Sequence, residues 1–358
     1  MRSFSRTRVV LTTTVVALAA LVAACSSPPP PPPPPVVQAP PPPPPITLSA
    51  SVVERASAFR GYMARASQVS PTFQNGEQIQ TSLKVGASYE ARSFMNGAVA
   101  YAAVLALQDP TFVASVREVA AHPTQRQEMV NNIFSNPSYA TVFKGSDSAA
   151  GLIIDTIGGD GLKVFMAGKA VKQAAYDVQK ATWSKSAVVD RDGRLASAKS
   201  LSTSPALAES ADVAVLQQAS MGGQSLGLTP RAAVAPYSPV VIRGLAVAAL
   251  AALGAAGDNN LSAIDALSTD PATSSCLNMA KLNLYQCLAV SKPHYEDIFC
   301  LGQHILIDTG ACVIKAAGAT VPPEPPKVLP VKETIATKGA GSKSRKAKTA
   351  AKKPVKKG

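Results

Sequence analysis

SCLNMAKLNLYQCLAVSKPHYEDIFCLGQHILIDTGAC, residues 275–312, contains four of the chain's five cysteines. An even set of cysteines in an exported chain implies a disulfide framework, and four of them allow three connectivities. Ser275 to Val290 reads as one helix and Tyr295 to Asp308 as a second, turned by Ser291-Lys292-Pro293-His294. Residues eleven apart on a helix return to nearly the same face, so Cys276 and Cys287 point the same way. They stand roughly 16 Å apart along the axis, beyond disulfide reach. In an antiparallel hairpin, facing positions keep a constant total of residue numbers. Cys276 with Cys312 and Cys287 with Cys300 meet that condition to within one, whereas the crossed pairing fails it. Nested bridges, Cys287–Cys300 inside Cys276–Cys312, are therefore predicted.

The arrangement resembles the twin-cysteine helical hairpins in this spacing alone, and no functional residue follows from the resemblance. Zinc is the competing reading, because His294 and His304 lie nearby and His304 with Asp308 has helical i, i+4 spacing. Close C-x₂-C pairs are missing, and an export route favours oxidation, so no metal is expected. His304, one turn after Cys300, reads as a hydrogen-bonded structural histidine on the hairpin seam.

Upstream of the hairpin the pattern is helical throughout. In SASVVERASAFRGYMARA, Val52, Val53, Ala56, Phe59 and Met63 follow the spacing of one helix face. A long helix is predicted from Glu77 to Leu107. Asp109-Pro110, His122-Pro123 and Asn136-Pro137 mark three short helices, since proline suits a first helical turn and Asp or Asn before it can cap. After GGDG at 158–161, residues 162–184 read as a further helix; 190–205 reads as a polar loop, and helix resumes from Ala206 to Ser220. MGGQSLGLTPRAAVAPYSP reads as a linker, with a soft boundary over 222–239. The next stretch, VVIRGLAVAALAALGAAG, is apolar nearly all round but too short to span a bilayer after Arg243, so it is predicted to be a buried core helix.

At the other end of the chain, Arg2, Arg6 and Arg8 precede an uncharged run from Val9 to Ala24. This is the layout of a secretory signal. Val22-Ala23-Ala24-Cys25 resembles the lipobox of bacterial lipoprotein precursors, although an ordinary cleaved signal with a chance cysteine would also suit the small residues. The resemblance implies that residues 1–24 are removed and Cys25 is lipidated. Three acyl chains would anchor firmly, each buried methylene contributing about 0.8 kcal/mol. Ser26 rather than aspartate points, by the class's usual sorting pattern, to the outer membrane, with the body facing the periplasm. Eight prolines, a short break and six more then fill most of the 25–48 segment. Proline fixes φ and removes the amide donor, which favours an extended polyproline II spacer. At about 3.1 Å per residue, Pro28 to Pro45 would reach ~55 Å.

The formal charge of +13 suggests a nucleic-acid binder until the charges are placed. Residues 327–358 carry eleven lysines and arginines against Glu333 alone, whereas residues 26–326 carry 21 of each sign. The excess lies in one tail, 321–358, which has no aromatic residue and is predicted to be disordered. Its Lys-Ala-Pro texture resembles linker-histone tails, but export makes nucleic acid the wrong partner. Lys343, Arg345, Lys346, Lys348, Lys352, Lys353, Lys356 and Lys357 are the candidate contacts to a polyanion, namely peptidoglycan or lipopolysaccharide. A solubilising tail without a partner is the plainer reading.

Catalysis has no visible seat. Gly223-Gln224-Ser225-Leu226-Gly227 matches the nucleophile elbow, with Asp258 or Asp265 and His294 or His304 downstream. That chemistry needs a strand before the serine and a helix after it, and the preceding ADVAVLQQASM reads as helix. Asp190-Arg191-Asp192-Gly193 begins like a calcium loop but lacks the later ligands. The expectation is an all-α, bundle-like body over 49–221 and 240–320, with a stapled helical hairpin and disordered ends. The expected function is a non-enzymatic, cofactor-free envelope lipoprotein that spaces or tethers layers. The alternatives are a helical module docking a protein or small ligand and, remotely, a hydrolase using Ser225.

Overall fold

Capping side chains decide where this helix-rich chain turns. The computed structural model describes residues 42–323. The signal segment, Cys25, the proline run through Pro41 and the tail residues Lys343, Arg345, Lys346, Lys348, Lys352, Lys353, Lys356 and Lys357 lie outside them. Helix α1, Ala50–Ser67, buries the predicted stripe of Val52, Val53, Ala56, Phe59 and Met63, and adds Tyr62. The single helix expected over 77–107 is instead two, α2 (Gly76–Ala87) and α3 (Ala91–Ala106). The Ser88 hydroxyl donates to the Val85 carbonyl and closes the first, while the Glu90 carboxylate accepts the amides of Arg92 and Ser93 and opens the second. Between them Tyr89 turns inward and meets Tyr62 and Phe94. A double cap and an aromatic plug outweigh the continuous apolar periodicity.

The three X-Pro starts are present. They open α4 (Pro110–Ala120), α5 (Pro123–Ser135) and a 3₁₀ helix, Pro137–Val142. Asp109 caps α4 by accepting the Phe112 amide, and Asn136 accepts the Ser138 amide.

The GGDG stretch does not break the chain: it lies inside α6, Ser146–Asp177, so the helix expected at 162–184 starts earlier and stops sooner. Trp183 belongs to the short α7, Thr182–Lys185. The stretch expected to be a loop after Asp190 holds α8, Arg191–Leu201, because Asp190 accepts the Gly193 amide as a cap and the few inward positions, Arg194 and Ala198, suffice to dock it. Helix α9 is Ser210–Ser220, beginning after Ala206. Residues 223–237 carry no helix, and α10, Pro239–Ala252, follows with Ser238 as its cap. Then come α11 (Leu261–Ser268) and α12 (Pro271–Val290). The second arm of the hairpin runs further than expected, as α13 (His294–Cys300), a π-helical stretch (Leu301–Ile307) and α14 (Asp308–Ala316).

Both predicted disulfides are present and nested: Cys276–Cys312 with Cα atoms 5.9 Å apart and Cys287–Cys300 with Cα atoms 5.6 Å apart. Glycines explain how the second arm reaches α6. A Cβ on Gly168 would stand 2.6 Å from the Ile307 nitrogen, and one on Gly310 would stand 2.6 Å from the Phe165 nitrogen. Gly161 and Gly302 meet opposing backbone in the same way. The two helices therefore pack main chain to main chain, which only glycine permits. Gly161 and Gly168 are the α6 glycines that join it to this neighbour.

One core runs from Leu48 to Ala317 and draws on helices on both sides of 222–239. Helix α10 sits in its middle, packed against α3, α4, α6, α11 and α14, with Val240, Val241 and the run Gly244 to Ala252 buried. A small satellite cluster joins Phe165, Ile307 and Ile314. Among the described residues the fold is all-α, and its β-pairing is limited to the bridges Leu48↔Ala256 and Ala187↔Pro293. The run His294–Ala316 is long and apolar enough to cross a bilayer, but 72% of its apolar window is buried within the fold, as suits a core helix.

Candidate functional site

The two flanking segments join the body at opposite ends of α10. On the N-terminal side, Thr47 donates its amide to the Ala251 carbonyl and Ser49 donates its amide to the Ala256 carbonyl. Arg117 donates to the Pro44 carbonyl at 2.8 Å, and Pro44 lies against Gly254. The Ser49 hydroxyl donates to Asp258 at 2.6 Å. On the C-terminal side, the Ser238 hydroxyl donates to the Ala316 carbonyl at 2.6 Å, and Gly318 lies against Ser238. Since α10 has 14 residues, these attachments are about 21 Å apart along its axis. Four residues before Ala316, Cys312 is bonded covalently to α12.

Two buried polar nodes hold the hairpin against the rest. Arg194 and Asp297 form an ion pair with side chains only 2% and 0% exposed. Arg194 also donates to the Leu288 carbonyl, and Ser291 donates to Asp297 at 2.7 Å. Burial pushes the Asp297 carboxyl upward, against the opposing pull of Arg194 and Ser291. In the second node Lys281, only 3% exposed, donates to the Ala87 carbonyl at 3.1 Å and lies 3.5 Å from the centre of the Tyr89 ring. Burial pushes its ammonium down to about 7, against the attraction of Glu90. The Tyr89 hydroxyl shares a 2.8 Å hydrogen bond with Thr309. Lys281 thus closes the C-terminal end of α2, where the last carbonyls need donors. Its sequence signal is a lysine occupying the apolar stripe Leu277, Leu284 and Leu288. The Arg194–Asp297 pair has no such signal, being 103 residues apart.

A groove of about 360 Å³ lies where α6 ends beside the hairpin turn, lined by Tyr176, Cys287, Val290, Tyr295, Glu296 and Phe299 among others. Tyr176 and Phe299 meet edge to face at 6.3 Å, and Lys172 lies 5.9 Å over the Phe299 ring. Two more polar clefts exist. One of about 470 Å³ gathers Arg60, Tyr101, Asp160, Lys163 and Leu226. The other, of about 500 Å³, gathers Lys84, Asp190, Arg194 and His294.

The remaining candidates are scattered. Ser225 lies on the exposed stretch after α9, and its hydroxyl oxygen accepts the Gly227 amide at 3.1 Å. Asp258 binds Ser49, Asp265 pairs with Arg55, and His294 faces Trp183. His304 sits 3.2 Å from Asp308, a hydrogen-bonded histidine as expected, with a partner that reading did not name. All four hairpin sulfurs are in disulfides, and no group of three or more metal-ligating side chains occurs among the described residues. No family model, curated protein or solved structure matches this chain.

Proposed function

We propose that the protein is a non-enzymatic envelope lipoprotein that tethers or spaces layers, anchored through Cys25 in the outer membrane and facing the periplasm. Its basic tail, with Lys343, Arg345, Lys346, Lys348, Lys352, Lys353, Lys356 and Lys357, contacts peptidoglycan or another polyanion. The observation that carries this reading is the attachment of the two flanking segments at opposite ends of α10. A body suspended between an anchor and a grip is loaded along a deeply buried helix. Ties at Thr47, Ser49 and Arg117 secure one end, and the Ser238–Ala316 hydrogen bond, four residues beyond the disulfide-bonded Cys312, secures the other. The described residues after the proline run and those before the tail thus meet the body at opposite ends of α10.

The test is co-sedimentation of the mature protein, in detergent, with purified peptidoglycan sacculi. Binding is expected at low salt, to fade at high salt and to disappear when residues 327–358 are removed, because screened point charges carry it. Equal binding without those residues would move recognition to the helical body and overturn the cationic grip. A second reading, a helical module docking a partner, is favoured by one observation: the groove lined by Tyr176, Tyr295 and Phe299.

A further inference from the structure

We propose that residues 327–332, Lys-Val-Leu-Pro-Val-Lys, run back along α6 and dock in the groove lined by Tyr176, Tyr295 and Phe299, as an intramolecular strap between α6 and the stapled hairpin. The proposal stands apart from the tether reading, since neither lipid nor polyanion enters it. Its basis is the course of the last described residues. The second arm of the hairpin runs antiparallel to α6, with Ile314 beside Gly161, Ile307 beside Gly168 and Gly302 beside Lys172. At Gly318 the chain reverses. This glycine takes a φ of +79°, its amide donates to the Lys315 carbonyl, and the Ala319 amide donates to the Ile314 carbonyl at 3.0 Å. That pair of bonds is a Schellman turn, which a residue without Cβ enters without strain. Ala319 then lies against Gly158, and Val321 packs on the cluster of Phe165, Ile307 and Ile314. The chain has therefore turned back over the seam and heads toward the C-terminal end of α6, where the groove lies.

Reach and chemistry select residues 327–332 as the occupant. From Phe165 to Tyr176 is eleven residues of helix, about 16 Å. Seven residues separate Val321 from Val328, and prolines at 322, 323, 325 and 326 favour an extended path between them. At about 3.1 Å per residue that path covers ~22 Å, enough to bring Val328 and Leu329 to the groove. Tyr176 and Val290, which line it, are 50% and 74% exposed. An extended Val-Leu-Pro-Val stretch suits such a surface, because proline-rich segments lie on aromatic-lined grooves. The charges also match. Among the described residues Glu296 is the charged group lining the groove, and its carboxylate is held by the Lys292 amide at 2.8 Å. Residues 327–332 carry two lysines, one at each end, and no acid. Lys343 and the basic residues after it lie beyond the strap, so docking leaves them outside the groove.

The test uses the purified full-length chain and two readouts. In the first, Val331→benzoylphenylalanine is photolysed, and cross-links are mapped after reduction. They are expected within one chain, in residues 173–180 or 287–299. In the second, trypsin cleavage after Lys327 and Lys332 is timed against cleavage after Lys338. Leu329→Ser and Tyr176→Ala are each expected to speed the first two cuts about tenfold, the scale of one lost apolar anchor, and to leave the third unchanged. Leu329→Ser lies outside the folded body, so its effect does not depend on whether Tyr176→Ala folds. Unchanged cleavage in Leu329→Ser, or cross-links confined to other parts of the chain, would overturn the strap and leave the tether untouched. Cross-links between two copies would overturn its intramolecular form. A cross-link into the groove from Val36→benzoylphenylalanine, with none from position 331, would give the groove to the N-terminal proline run and overturn the assignment.

Discussion

Lys281 shows how a single residue can be readable as an oddity and yet not as a function. A lysine within the stripe Leu277, Leu284 and Leu288 conflicts with the helical pattern, and the structure resolves the conflict by aiming it at the Ala87 carbonyl and the Tyr89 face. Its charged form is penalised by burial, which lowers its pKa to about 7 from the ordinary lysine value of 10.5. Between those values the unfolded chain binds a proton that the folded chain does not. Stability from this residue therefore rises with pH across that window, and the penalty is present in full below it. Urea midpoints measured from pH 6.5 to 9.5 should climb in the wild type and climb less in Lys281→Met. Parallel pH profiles for the two proteins would show that Lys281 is not the titrating group. The Arg194–Asp297 pair was illegible for a different reason: nothing local singles out either residue, and only tertiary contact reveals their burial.

At the scale of the element, periodicity identified helices and the cysteine spacing identified the staples, because both are local consequences of 3.6 residues per turn. Boundaries were legible where proline and a capping residue coincide, as at Asp109-Pro110. They were lost where a cap lies inside an apolar run, as at Glu90, or where glycine serves packing instead of turning. Gly158, Gly159 and Gly161 read as a break, yet all three lie within α6, and Gly161 meets the backbone of the partner helix. The seam carries its own prediction. Gly168→Ala forces a methyl group against the Ile307 backbone, and the resulting overpacking should cost about 1–3 kcal/mol. Gly159→Ala, whose Cβ would meet nothing within 4 Å, should be neutral or slightly stabilising. Chemical denaturation of the two variants checks this, and equal stabilities would remove the seam from the account.

For the whole molecule, the sequence supplied the two ends and the structure supplied what lies between them. The proposed anchor, reach and grip draw on the lipobox resemblance of Val22-Ala23-Ala24-Cys25, the proline run and the lysine tail, the first by likeness and the other two by composition. That the flanking segments meet opposite ends of α10 could not be read beforehand, because it depends on how Pro44 and Ala316 find Gly254 and Ser238 across the fold. The aromatic groove was equally hidden, its residues coming from α6, α12 and α13. The measurement that tests the central claim most directly is a bridging assay. Lipidated full-length protein is reconstituted into fluorescent vesicles, which are mixed with sacculi and spun at a speed that pellets sacculi alone. The account predicts that vesicles enter the pellet at low salt, remain in solution at high salt, and fail to pellet when residues 327–358 are absent. Vesicles that never pellet with the full-length protein would contradict it.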